Sequence, residues 1–206
     1  MKVLLVNGSP HENGCTFTAL KEAADRLESK GVSTEIFWLG RAPVAGCIAC
    51  GSCSKTGKCF RDDVVNIFAE KCAEADGFIF GSPVYYAGIS GQLKSFMDRL
   101  FYSASSKLRG KPASAVVSCR RGGASAAFED INKFFMMSNM PVVSSQYWNQ
   151  VHGSKSEDVL RDEEGMQTMR TLADNMAWLL SCIKAAESSG ISAPEREPVI
   201  RTNFIR

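Results

Sequence analysis

The chain predicts a single α/β domain: a doubly wound, five-stranded parallel sheet in the order 2-1-3-4-5, with helices on both faces. Three observations predict it. Short β-rich apolar runs alternate with stretches of helical period along the chain. The run GFIFG at 77–81 is apolar throughout, as suits a strand covered on both faces. Finally, 206 residues with 45% hydrophobic content can bury one substantial core and have no need of two.

Lys2–Asn7 (KVLLVN) reads as the first strand and runs directly into GSPHENGCT. From Thr16 to about Lys30, Leu20, Ala23, Ala24 and Leu27 recur at helical spacing, and Gly31 closes the helix. Ser33–Leu39 is a second strand with alternating Ile36 and Trp38. Beyond a cysteine-rich stretch, Asp62 and Asp63 cap a helix through Phe68 and Cys72. Gly77–Gly81 is the third strand. Ser90 to about Phe101 is a helix, with Gly88 and Gly91 in its lead-in turn. Ala113–Cys119 is the fourth strand, Ala124–Met137 a helix and Pro141–Ser145 the fifth strand. Glu157–Ala186 reads as one long helix with Leu160, Met169, Leu172, Met176 and Leu179 along one side. Residues 1–188 therefore form the domain. Residues 189–206 have no helical period and are either a loose terminus or an arm laid across a neighbouring subunit, the arm being favoured by apolar Ile200, Phe204 and Ile205.

A formal net charge of +2, spread along the chain, gives no electrostatic case for nucleic acid. No apolar run approaches the ~20 residues of a membrane span. Met1 leads straight into a strand with no signal-peptide pattern, so the expected location is the cytoplasm. Scattered single Cys15, Cys72, Cys119 and Cys182 agree with a reducing compartment.

Chemistry concentrates in four loops. In the first, Ser9, Thr16 and the amides around Gly14 present donors at a helix N-terminus, which can hold a phosphate dianion without lysine. The lysine-bearing triphosphate motif and the spaced dinucleotide glycines are both missing. An ordinary turn before a helix gives the same composition. The third strand ends in GSPVYYAGISGQLKSFMDR, which places Tyr85 and Tyr86 where a flat ring can stack. The fourth ends in SCRRGGAS, whose Arg120 and Arg121 either neutralise an anionic ring or a phosphorylated reductant or remain solvated. In the fourth loop, CIACGSCSKTGKC, Cys47, Cys50, Cys53 and Cys59 lie within thirteen positions, a density that points to metal ligation.

With GSPHENGCT, GSPVYYAGISGQLKSFMDR and the cysteine run together, the chain resembles the NAD(P)H-dependent FMN reductase family of flavodoxin-like proteins, nearest its iron–sulfur flavoprotein branch, over roughly residues 1–185. The resemblance implies a flavodoxin-like fold, bound FMN, NAD(P)H as reductant, and a homodimer or homotetramer whose subunits share the flavin sites. It places the FMN phosphate on Ser9, Asn13, Gly14, Cys15 and Thr16. Pro83, Val84, Tyr85 and Tyr86 would border the isoalloxazine, with Ser118 and the Gly122–Gly123 turn on its other side. His11 stands where the family usually has arginine, and Cys15 where it usually has asparagine, so the phosphate loop lacks a permanent cation.

The x2, x2, x5 cysteine spacing is similar to the motif that ligates a 4Fe–4S cluster in iron–sulfur flavoproteins. Zinc, an empty loop and a redox disulfide such as Cys50–Cys53 are the competing readings. Two functions follow. One is an enzyme passing electrons from NAD(P)H to a flavin, a quinone or another small molecule. The other is a carrier taking single electrons from a ferredoxin-like donor. Neither requires a side-chain nucleophile. His152, in YWNQVHG, and Trp148 lie where a loop after the fifth strand can reach the site, and the methionines at 136, 137, 140, 166, 169 and 176 suit core and interface packing.

Overall fold

The computed structural model describes residues 1–202 and 204; positions 203, 205 and 206, and with them Ile205 of the expected arm, lie outside the described residues. Along the chain run β1 (Lys2–Asn7), α1 (Cys15–Ser29), β2 (Ser33–Trp38), α2 (Ser52–Thr56), α3 (Val64–Lys71), β3 (Gly77–Tyr85) and β4 (Gly88–Ile89). There follow α4 (Gly91–Ser103), α5 (Ser105–Leu108), β5 (Ala113–Cys119), α6 (Ala124–Met137), β6 (Gln150–His152), α7 (Ser156–Val159) and α8 (Glu163–Ser188). Five strands pair in parallel in the order β2-β1-β3-β5-β6, the expected 2-1-3-4-5 once the short β4 is set aside. β4 folds back antiparallel on the end of β3, pairing Val84 with Ile89 and Tyr85 with Gly88.

Because side chains alternate along a strand, each central strand feeds two cores. Leu4, Val6, Phe78 and Phe80 join α3, α4 and α6 on one face, through Phe68, Phe96 and Phe135. Val3, Leu5 and Ile79 join α1 and α8 on the other, through Leu20, Leu27, Met169 and Leu172. The first core is aromatic, with ring centroids from 5.1 Å (Phe37–Phe68) to 6.4 Å (Phe68–Phe78) apart. On the second face, Arg26 makes two 2.9 Å bonds to Asp174, joining α1 to α8.

Two expected elements fall elsewhere. The fifth strand is not Pro141–Ser145: only Val142 bridges to Ala113, at the start of β5. The chain then loops out and pairs again as β6, beside Val117–Cys119. Buried Asn149 guides that return, donating to Ser114 Oγ at 2.9 Å while its carbonyl accepts from the Val117 amide at 2.9 Å. The PVV run marks where pairing with β5 begins, and Val151 supplies the buried strand residue. The final helix is also broken. Asp162 accepts from the Gly165 amide at 3.0 Å and caps α8, so residues 156–159 form a separate turn and Leu160 is exposed. Of the paired aspartates before α3, Asp63 is the cap, accepting from the Val65 amide at 3.1 Å. Met140, Met166, Met169 and Met176 are buried, whereas Met136 and Met137 face outward. Among the described residues no helix is long and apolar enough to cross a membrane.

At the end of β1 the Gly8 amide donates to the Gly81 carbonyl at 2.9 Å. A Cβ on Gly8 would stand 2.8 Å from that oxygen and 2.8 Å from Leu93 Cβ, neither of which is the free end of a flexible side chain. Gly8→Ala is therefore expected to destabilise the fold by about 1–3 kcal/mol through overpacking. The expected readout is a lower urea midpoint at unchanged m-value. An unchanged midpoint would show that the strand ends separate freely.

Candidate functional site

The loop after β2 contributes to the lining of two cavities, through Arg41 in one and residues 46–51 with Cys53 in the other. The larger, about 770 Å³, lies beyond the ends of β1, β3, β5 and β6. That is the size of a small-molecule or cofactor site.

Its floor is the loop after β1. Asn7, fully buried, donates through Nδ2 to the Glu12 carbonyl at 3.0 Å, and its Oδ1 accepts from the Ser9 amide at 3.1 Å. Ser9 Oγ accepts from the His11 amide at 3.1 Å, and Trp38 Nε1 donates to the Ser9 carbonyl at 2.8 Å. The loop is thus shaped from within before α1 begins at Cys15. No side chain caps α1, so the amides of its first turn are left without helix partners at the cleft. Other loops are fastened to this one. Thr16 Oγ1 and Ser118 Oγ lie 2.9 Å apart, and Ser156 Oγ donates to the Asn13 carbonyl at 2.7 Å. Ser90, the cap of α4, donates to the Gly8 carbonyl at 2.7 Å.

Of the residues expected around a flavin, Ser9, His11, Asn13, Gly14, Cys15, Thr16, Pro83, Val84, Tyr85, Ser118 and Arg120 line this cleft. Tyr86, Gly122 and Gly123 do not line it. Tyr86 sits at the β3–β4 turn with φ +50° and is fully exposed. Gly123, at φ +89°, precedes α6 and packs so closely on Ala87 that a Cβ would meet its Cα at 2.9 Å. It shapes the β3–β4 turn from behind. Sequence reasoning missed Arg41 and the 153–157 loop, including Lys155. The signal for Lys155 was present in GSKS after the fifth strand, a Gly/Ser-rich turn like that after β1. Misplacing that strand hid it. His152 is turned toward Asp162, its amide donating to Oδ2 at 2.6 Å and its Nδ1 standing 3.6 Å from the same oxygen, and neither it nor Trp148 lines the cleft.

The smaller cavity, about 340 Å³, is walled by Cys47, Cys50, Cys53 and Cys59 together with Arg99 and Tyr102. All eight cysteines of the chain are free thiols. As placed, no three metal-ligating side chains among the described residues are gathered closely enough to hold an ion. The reason is local: residues 43–51 carry no regular structure, and Cys47 and Cys50 are exposed. Cys59 is the fixed member. Its amide donates to Asn66 Oδ1 at 3.1 Å, its carbonyl accepts from Asn66 Nδ2 at 2.9 Å, and its sulfur accepts from Arg99 Nε at 3.2 Å. Two further lining residues, Arg61 and Ser103, keep buried donors, Nε and Oγ, without a partner. Four thiols and two unsatisfied donors among the lining residues suit a group rich in anionic sulfur.

Burial works against the Asp63 carboxylate, but bonds from Arg99 and the Val65 amide outweigh it and hold the group below the ordinary carboxylate range. Burial pushes the Cys72 thiol up to about 12, despite nearby Lys111 and Lys107.

Comparison with known proteins places this geometry. A family model described as NADPH-dependent FMN reductase matches residues 1–155. An iron–sulfur flavoprotein of Methanocaldococcus jannaschii is 34% identical over 194 residues, covering 89% of this chain and 100% of that protein. A flavone reductase structure superposes with a TM-score of 0.71 at 17% identity, covering 90% of this chain and 65% of the other. A flavodoxin from the domain Archaea superposes with a TM-score of 0.60 at 18% identity, covering 88% and 99%. Likeness at that identity shows the fold, which is flavodoxin-like.

Two outcomes are expected of the metal-free protein. At pH 8 an alkylating agent labels exposed Cys47, Cys50 and Cys182 first and leaves Cys72 intact until unfolding, as mass spectrometry of timed samples would read; early loss of Cys72 would contradict its burial. The unfolded Asp63 carboxyl titrates near ~3.9 and the folded one lower. Stabilisation from that group is therefore complete above about pH 5 and lost as pH falls through the folded value. Asp63→Asn should lower stability at pH 7 and flatten this acid limb in denaturation measured from pH 7 to 3.

Proposed function

The chain belongs to the NADPH-dependent FMN reductase family, and from that premise we propose that it binds FMN in the strand-end cleft and passes electrons from NAD(P)H to a small-molecule acceptor such as a flavin or quinone, with a 4Fe–4S cluster held by Cys47, Cys50, Cys53 and Cys59. The observation that carries this reading is the uncapped start of α1, opening on the cleft beside the Ser9 and Thr16 hydroxyls. Unpartnered amides at the positive end of a fifteen-residue helix suit a phosphate dianion.

FMN, when bound, supplies the link between two-electron hydride chemistry and one-electron steps. The chain's own residues position it and set its surroundings. The first-turn amides of α1 with Asn13 and Thr16 hold the phosphate. Arg41, Arg120 and Lys155 supply the permanent positive charge that His11 does not. Pro83, Val84 and Tyr85 border the ring. Tyr86, projecting beyond the cleft edge, is assigned to a neighbouring subunit's site in a homodimer or homotetramer. No side chain acts as a nucleophile.

The names of the iron–sulfur flavoprotein relatives, and the exposure of Cys47 and Cys50 on the cavity rim, support a second reading. In it, the protein is a carrier that takes single electrons from a ferredoxin-like donor. Eight free thiols accord with a cytoplasmic setting in either case.

Anaerobically purified protein is expected to show flavin absorption over a broad sulfur-to-iron background, with one FMN and about four irons per chain. Rapid bleaching by NADPH would support the enzyme, and reduction only by a low-potential protein donor the carrier. Flavin without iron would leave the simple reductase. Absence of flavin after reconstitution with FMN would overturn both. His11→Glu, adding a carboxylate at the phosphate loop, should weaken FMN binding tenfold or more, about 1.4 kcal/mol. His11→Arg should tighten it and steepen its salt dependence.

A further inference from the structure

Arg99 is 2% exposed, an unusual place for a guanidinium. It occupies the cysteine-loop side of α4, among Leu93, Phe96, Met97 and Leu100 of the aromatic core. All three of its nitrogens are engaged. Nη1 donates to Asp63 Oδ2 at 2.6 Å and to the Ala45 carbonyl at 3.3 Å. Nη2 donates to Asp63 Oδ1 at 2.8 Å and to the Arg61 carbonyl at 3.2 Å, and Nε to Cys59 Sγ at 3.2 Å. These five bonds match the five N–H donors of the fork. Ala45 and Arg61 stand just outside the two ends of the 47–59 loop. One buried cation therefore closes the loop at both ends and reaches a sulfur inside it.

The paired Asp63, its side chain a third exposed, explains why the charge is tolerated, since a buried guanidinium with a carboxylate partner and all donors satisfied avoids the cost of an orphaned ion. It does not explain the remaining contacts. Asp63 alone needs two of the five donors, and a lysine could meet it. The two carbonyls and the sulfur require a planar fork whose donors point in several directions at once.

We propose that Arg99 is the positioning residue of the cysteine centre: it fixes the loop in the shape that presents four sulfurs to one cavity, and through its bond to Cys59 Sγ it raises the reduction potential of the cluster they hold. The second half rests on the cluster assignment under Proposed function; the first does not. A cluster gains negative charge on reduction. An adjacent permanent cation and an N–H···S bond stabilise that reduced form more than the oxidised one. Unpartnered Arg61 Nε and Ser103 Oγ, on residues of the same cavity, add to a donor-rich wall in which Arg99 is the one donor already set on a sulfur.

The test uses Arg99→Lys, which keeps the charge opposite Asp63 and loses the fork. In metal-free protein, hydrogen exchange of amides 46–61 should quicken tenfold or more, while β5 amides and FMN content stay at wild-type values. After anaerobic iron and sulfide reconstitution, the cluster potential should fall by the equivalent of a tenfold or greater change in the oxidised-to-reduced ratio, 59 mV for one electron. Should that variant not fold, Arg99→Gln with Asp63→Asn removes both charges together and leaves no carboxylate without its partner; the same two shifts are expected of it. Unchanged loop exchange overturns the positioning role. An unchanged potential in protein with wild-type iron content overturns the tuning role. Wild-type protein that takes up no iron overturns the cluster assignment and the potential claim with it, and the exchange comparison still decides whether Arg99 closes the loop.

Discussion

Strand β1 sends the chain to α1 on one face of the sheet, and its neighbour β3 leads to α4 on the other. The loops that follow these two strands must therefore part above the seam between them. Everything the protein can bind at this edge depends on that separation, and the seam itself has to be tight for the loops to start from fixed points. Gly8 and Gly81 make it so by letting the strand ends approach within one backbone hydrogen bond, with Ser90 reaching across to the Gly8 carbonyl. The cleft is wide above because the strands are close below.

Which parts of this were legible in sequence follows from how local each determinant is. Central strands such as GFIFG, covered on both faces, announce themselves by composition, and α1 and α4 by the spacing of their buried residues. The fifth strand did not, because its position depends on partners distant in sequence. Pro141–Val143 has β composition but meets only the beginning of β5, while the functional end of the strand is set by buried Asn149 meeting Ser114. Two aspartates decide the break before α8. Asp158 takes the Ser154 and Lys155 amides, and Asp162 starts the helix afresh. Helical period alone cannot show such a restart, since apolar spacing continues through it.

The candidate site was legible to the same degree. Residues within a strand–loop–helix unit, from Ser9 to Thr16 and from Pro83 to Tyr85, came together as expected. Those supplied by less regular segments, Arg41 and Lys155, were harder to read, Lys155 because its Gly/Ser-rich turn follows a strand whose position is set by distant partners, and both are cations lining the cleft. Tyr86 shows the converse: its neighbours in sequence line the cleft, but the left-handed turn at 86–87 carries it outward. Arg99 is the deepest omission. The string SFMDR reads as the polar end of an amphipathic helix, and only tertiary structure shows the guanidinium buried and facing a sulfur.

The two cavities share a short piece of chain. Arg41 stands on the cleft, Cys47 on the cysteine cavity, and the six peptide units between them extend to at most about 22 Å. A sheet in which β2 lies beside β1 puts the loop after β2 next to the loop after β1, so this nearness is set by strand order before any cysteine is placed. Arg99 then limits where the loop can go, because Ala45 and Arg61 are both bound to it. A redox group on these cysteines would thus be tied to the cleft through that short piece of chain and open to solvent through Cys47 and Cys50. That is the arrangement expected of a relay between a cofactor inside the protein and an electron partner outside it.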